Sequence, residues 1–160
     1  MVLVREAGPD EWEVLREIRL AALREAPYAF ASTYAREAKL TEEHWRDRIA
    51  GHGVTFFAYL PELTEPAGLA GVFEDRDGTA HLVSMWVHPA ARGLGVGEAL
   101  ATAAADWAKA RDFGALYLWV TETNAPARRL YERCGFSPTG ERQPLPSEPA
   151  LPEILLCRPL

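Results

Sequence analysis

The chain has 160 residues, a formal net charge of -6 at pH 7, 48% hydrophobic and 25% charged residues, which predicts a single folded domain over residues 1–160. The acidic balance excludes the basic stripe that a nucleic-acid partner requires. Two cysteines, Cys134 and Cys157, are a poor disulfide framework for this length, and the acidic start with no long apolar run is unlike a signal peptide or membrane span, so a cytoplasmic location without membrane association is expected.

In chain order, "VLVREA" alternates like a strand and "GPD" breaks it. Asp10 is the expected N-cap of a helix that carries Trp12, Leu15, Ile18, Leu20 and Leu23 at helical spacing up to Pro27. "YAFASTYAREAKL" is irregular, and Thr41 opens a second, short helix ending at Gly51 or Gly53. Three runs, 54–60, 67–75 and 80–87, are β-branched, aromatic or alternating, and "DRDG" joins the last two as a hairpin. A long helix with Val96, Leu100, Ala104, Trp107 and Ala108 on one face comes next, with Gly114 available as its stop. Then come a strand at 115–120, a helix with Pro126 in its first turn and Gly135 at its end, and two closing strands joined by a Pro-rich loop. Hairpins mixed with strand-helix-strand crossovers predict an α+β fold, a mixed and mostly antiparallel sheet of about seven strands with four helices.

The stretch "WVHPAARGLGVGEAL", residues 86–100, places three glycines at alternate positions before a helix. Free N–H groups at a helix start attract phosphate oxygens, and glycine removes the Cβ atoms that would keep a bulky anion away. A Walker A loop is excluded because Gly97 is followed by Glu98 and Ala99. A dinucleotide fingerprint is excluded because the third glycine position holds Leu100 and the preceding strand belongs to a hairpin.

What remains, Arg92-Gly93-Leu94-Gly95-Val96-Gly97, resembles motif A of the Gcn5-related N-acetyltransferases, whose loop amides bind the pyrophosphate of coenzyme A. A second stretch, "VTETNAPARRLYERCGF", is similar to the same family in Asn124, Ala127, Leu130, Tyr131, Gly135 and Phe136. The resemblance implies the family's fold, splayed in the middle of the sheet, with acetyl-CoA as co-substrate, an amine as acceptor and no metal. A homodimer is left open.

The resemblance also implies roles. Tyr131 is the expected general acid for the departing thiolate. Met85 and Val87 present backbone groups to the pantetheine arm, and the Met85 N–H is the expected oxyanion donor. Asn124 contacts the same arm while capping its helix, with Ala127 and Tyr131 beside it. Arg92 offers a charge to the phosphates, and Arg128 reaches the 3′-phosphate or stays solvated. Many family members carry a Glu on the strand before the glycine loop, but here that strand reads "HLVSMWV". Glu122 is the preferred base, with His81 and Ser84 as water-holding alternatives.

The segment between the first two helices should border the acceptor. Phe30, Ser32 and Tyr34 are candidate contacts there, with Ser84 across the cleft and Trp86 or Trp45 as an apolar wall. The acceptor is expected to be a small-molecule primary amine. A protein N-terminus or lysine, or a silent acyl-CoA-binding sensor, are the alternatives.

Overall fold

A computed structural model describes residues 1–160. The elements are β1 (Leu3–Glu6), α1 (Trp12–Glu25), α2 (Tyr34–Glu37), α3 (Glu42–Ile49), β2 (Val54–Tyr59), β3 (Gly68–Glu74), β4 (Ala80–Val87), α4 (Val96–Ala110), β5 (Ala115–Thr121), α5 (Ala125–Arg133), β6 (Ser137–Leu145) and β7 (Glu148–Pro159). The strands form one sheet in the order β1-β2-β3-β4-β5-β7-β6. Every neighbouring pair is antiparallel except β4 and β5. This is the α+β mixed sheet that the element order implies, with five helices instead of four. No helix is long and apolar enough to cross a membrane.

Local chemistry explains the departures. The added helix, α2, is one turn whose N-cap Thr33 accepts the Arg36 N–H through its side chain. Asp10 does not cap α1: the N-cap position is Glu11, whose carboxylate reaches back to the Gly8 N–H at 2.7 Å and pairs with Arg5 on β1. At the other end of the chain the expected Pro-rich loop is only a tight turn, because β7 starts at Glu148 and pairs with Leu145. The left-handed residue after α4 is Asp112, φ +64, and not Gly114.

Two apolar layers cover the sheet. On one face α4 packs a run of small residues, Ala104, Ala105 and Ala108, with Val96 and Leu100, against Ala70, Val72, Ala80 and Leu82. On the other, Leu15, Ile18 and Leu23 of α1 and Trp45 of α3 meet Phe57, Leu69 and Trp86. Alternation along a strand sends neighbours to opposite faces, so the run "VTFFAY" of β2 supplies Phe56 to the first layer and Phe57 to the second.

One irregularity opens the middle of the sheet. Leu69 of β3 pairs with Trp86 and Gly71 pairs with Val83, so β4 spends one residue more than β3 between these pairs, the definition of a β-bulge. The extra residue resets the alternation. Ala80 and Leu82 face α4 before it, and Met85 and Val87 face α4 after it, while Trp86 turns to the α1 side. Beyond Ala80↔Leu116 and His81↔Tyr117, β4 and β5 have no paired residues. The C-terminal half of β4 is therefore free of its parallel neighbour.

Close approach of α4 to β3 depends on Gly68. A Cβ there would lie 2.7 Å from the Trp86 carbonyl oxygen and 3.1 Å from both Val96 and Leu100. Gly68→Ala is expected to destabilise the chain by about 1–3 kcal/mol through overpacking, whereas Gly71→Ala, whose nearest contacts are 3.4 Å away, costs less. Denaturant melts of the two variants check the order; equal midpoints would contradict it.

Candidate active site

Where β4 and β5 part, the structure has a cleft of about 720 Å³. Its walls are the ends of both strands, the start of α4 and one side of α5, with Glu25, Ala26 and Ala29 at the far end of α1. Leu82–Val87 have no partner on β5, so backbone N–H and C=O groups on that edge of β4 are available to a ligand. A ligand strand or amide chain laid there would take the place of the missing ladder.

The glycine loop closes one end of this cleft. Gly93 and Gly95 have φ of +81 and +85, conformations that only glycine adopts without cost. A Cβ at either would meet no atom within 4 Å, so both backbones face open space. The first α4 hydrogen bond runs from the Ala99 N–H to the Gly95 carbonyl. The N–H groups of Val96, Gly97 and Glu98 thus lack helical partners, and the positive end of the helix dipole stands at the cleft. Gly97 has a different reason to be glycine: a Cβ would lie 2.7 Å from Leu130 of α5. It sets helix packing, not anion access. The loop's shape and charge fit a pyrophosphate.

Of the residues expected to hold coenzyme A, Met85, Val87, Arg92, Gly93, Gly95, Val96, Gly97, Asn124, Ala127 and Tyr131 line the cleft. Leu94 is exposed and outside it. Arg128 is also outside, its guanidinium donating to the Glu122 carbonyl at 2.9 Å. Arg92 lies at the loop but is engaged: Nε donates to the Val87 carbonyl at 3.1 Å and Nη2 to the Glu25 carboxylate. Arg133, also in the lining, pairs likewise with Glu98 at 3.2 Å.

Tyr131 is buried in the α5 face of the first apolar layer, edge-on to Phe136. Burial, with a smaller contribution from the Cys134 thiol, pushes its phenol well above the ordinary value. It is held protonated beside the cleft, the state an acid needs. Asn124 caps α5, its side-chain oxygen accepting the Ala127 N–H at 3.3 Å. Its amide nitrogen is left for other contacts.

The structure does not bring Glu122 to the cleft. It follows β5 and its carboxylate pairs with Arg142 of β6. His81 sits at the closed end of the opening, bonded to Asp75 at 2.9 Å and stacked on Phe73. Among the acceptor candidates, Ser84 and Trp86 line the cleft and Phe30, Ser32 and Tyr34 do not. Phe30 is core, Tyr34 bonds Arg24, and Trp45 is fully buried.

Sequence reasoning missed Glu25 and Trp119. Glu25 accepts the Trp86 indole N–H at 3.1 Å and the Arg92 guanidinium, and it lines the cleft. Nothing in a run of α1 residues marks a contact 61 or 67 positions away. Trp119 carries a readable signal: the alternation of "ALYLWV" puts it on the face opposite Leu118, where β5 borders the opening.

Below the bulge lies a buried polar cluster. Ser84 has φ +58, a left-handed conformation that costs a non-glycine residue about 1–3 kcal/mol. Its hydroxyl accepts Arg19 Nη1 at 2.9 Å. Arg19 in turn forks onto both oxygens of Glu37, at 3.0 Å each, and Arg48 adds a bond to Glu37 at 2.9 Å. Burial alone would raise the Glu37 carboxyl, but the bonds and charge of Arg19, with Arg48 and Ser32 behind it, hold it at about 2. A second buried carboxylate behaves oppositely. Glu153, cross-strand from Thr121, has Gln143 as its hydrogen-bond partner, and burial pushes it up.

The two carboxylates predict opposite effects. Glu37 gives stability that is present above its ordinary value of 4.5 and lost as pH falls toward 2. Glu37→Gln should cost about 3–5 kcal/mol at pH 7, with the gap to wild type closing on acidification. Glu153 binds its proton more tightly when folded, so its charge opposes folding once pH rises past the unfolded value. Glu153→Gln should raise the melting temperature at pH 7. Melts from pH 3 to 8 test both; a stabilised Glu37→Gln or a destabilised Glu153→Gln contradicts the assignment.

Known proteins resemble this chain in sequence and fold. The family model described as acetyltransferase (GNAT) family matches residues 12–136. The mycothiol acetyltransferase of Beutenbergia cavernae is 37% identical over 69% of this chain, and the match covers 38% of that protein. The streptothricin acetyltransferase of Streptomyces lavendulae is 49% identical over 51 residues, 32% of this chain and 27% of that protein. The chain thus matches well under half the length of these curated relatives. A solved GCN5-related N-acetyltransferase from Kribbella flavida, 27% identical, superposes with a TM-score of 0.79 over 99% of this chain and 98% of its own. The chain belongs to the GNAT family of acetyltransferases.

Proposed function

We propose that this protein transfers an acetyl group from acetyl-CoA to a primary amine on a small molecule. The observation that carries the reading is the coincidence of an unpaired β4 edge, a glycine-lined helix start and a buried Tyr131 around one cleft. The two curated relatives are a mycothiol acetyltransferase and a streptothricin acetyltransferase. Both names refer to small molecules, which supports a small acceptor over a protein.

Acetyl-CoA supplies a thioester carbonyl and a thiol leaving group. The free N–H groups of the loop and of Val96, Gly97 and Glu98 hold the pyrophosphate. Arg92 and Arg133 exchange a carboxylate partner for phosphate oxygens at little electrostatic cost, because each cation stays paired. Met85 and Val87 pair with the pantetheine amides as they would with an added strand. The Met85 N–H meets the charge that develops on the carbonyl oxygen, and Tyr131 protonates the departing sulfur. The amine's proton passes to water in the open end of the cleft, since the Glu122 carboxylate is engaged with Arg142. On the acceptor side, Trp86 and Trp119 give flat apolar walls and Glu25 a carboxylate for a cationic amine.

Two measurements check this. Calorimetry should show acetyl-CoA binding, and thiol release should appear with at least one amine from a panel containing streptothricin, polyamines, amino-acid derivatives and peptides. No binding at high micromolar acetyl-CoA would overturn the reading, and turnover of peptides alone would move the acceptor to proteins. Tyr131→Phe should lower kcat by about 10²- to 10⁴-fold with acetyl-CoA affinity unchanged; an unchanged rate would remove Tyr131 from the mechanism.

A further inference from the structure

Arg19 belongs to α1, 65 residues before Ser84, and is only 8% exposed. Its guanidinium is committed on every side. Nε and Nη2 meet the two Glu37 oxygens, Nη1 meets the Ser84 hydroxyl, and the Phe30 ring covers the guanidinium carbon at 4.7 Å. A fork fixed on a carboxylate leaves its remaining edge one direction to point. That edge points at the single β4 residue with positive φ.

A bulge residue in the left-handed region is ordinarily glycine, which holds the shape by itself. Here serine occupies the position, and its conformation has to be held from outside. The next residue is Met85, whose N–H is the expected oxyanion donor in the proposed acyl transfer. A buried ion pair is by itself weak evidence of a stabilising role, since apolar replacements are often as stable. A bidentate pair that aims one N–H at a strained hydroxyl has a geometric consequence that an apolar cluster would lack.

We propose that Arg19, oriented by Glu37, is a positioning residue: its bond to the Ser84 hydroxyl holds the β4 bulge so that the Met85 N–H faces the thioester carbonyl. The inference rests on the acetyl-CoA reading of the cleft. It assigns no contact between Arg19 and the substrate.

Methionine occurs only at positions 1 and 85, so protein labelled with nitrogen-15 methionine gives a spectrum with one backbone amide, that of Met85. In the wild type, the Met85 amide proton should shift between the CoA complex and the acetyl-CoA complex, because only the second brings a carbonyl to it. Arg19→Leu should lose this shift, and so should Ser84→Ala, which keeps the Arg19–Glu37 pair and thus remains informative if Arg19→Leu does not fold. Adding Ser84→Gly to Arg19→Leu should restore the shift, since glycine adopts the bulge conformation unaided. A wild-type shift retained in Ser84→Ala, or no shift in a wild type that binds both ligands, overturns the positioning role. So does a folded double variant without the shift, which would make the cluster structural only. Failure of the wild type to bind acetyl-CoA in calorimetry would instead overturn the acyl-transfer reading.

Discussion

The site depends on the one residue that β4 carries beyond its partner β3. Without it, Ala80, Leu82, Ser84 and Trp86 would share a face and β4 could run alongside β5 to its end. With it, Met85 and Val87 turn to the α4 face, Trp86 turns to the α1 side, and β4 is left without β5 partners after His81. The backbone groups thus left unpaired are costly to bury and valuable to a ligand that can pair them. The cleft is the place where the sheet leaves its own hydrogen bonding unfinished.

Everything else around the opening holds that edge or meets what enters it. The small residues of α4 and the missing Cβ of Gly68 let the helix press against the sheet, which brings its N-terminal dipole to the cleft. Gly97 lets α5 approach through Leu130, and α5 carries Tyr131. From the opposite face, α1 contributes Arg19 to the bulge and Glu25 to the mouth. The carboxylates of Glu25 and Glu98 keep Arg92 and Arg133 paired near a loop suited to phosphates. A cation already oriented by a carboxylate loses little more freedom when it changes partners.

Much of this is legible in the residues and some is not, for definable reasons. Aromatic and β-branched runs such as "VTFFAY" and the helical spacing of Val96, Leu100 and Ala104 locate the elements, because apolar patterning is local. The glycine loop and the Asn124-to-Phe136 stretch locate the cleft, because those residue types are chosen by backbone conformation and capping. The bulge position is hidden: a left-handed residue is usually announced by glycine, and Ser84 is held there by Arg19, 65 residues away. Glu122 is a carboxylate at a strand end, but nothing local reveals that Arg142 on β6 takes it. Phe30 and Trp45 are plausible walls by type, yet burial sends them to the core beneath the site. Long-range side-chain pairing is what patterning does not encode.

Amide hydrogen exchange on adding acetyl-CoA tests the central claim most directly, because it reads the unpaired backbone itself. The account predicts slowed exchange at Met85, Val87 and residues 93–98, with β2 and β3 unchanged. Acetyl-CoA that binds while leaving these amides as fast as in the free protein would contradict it.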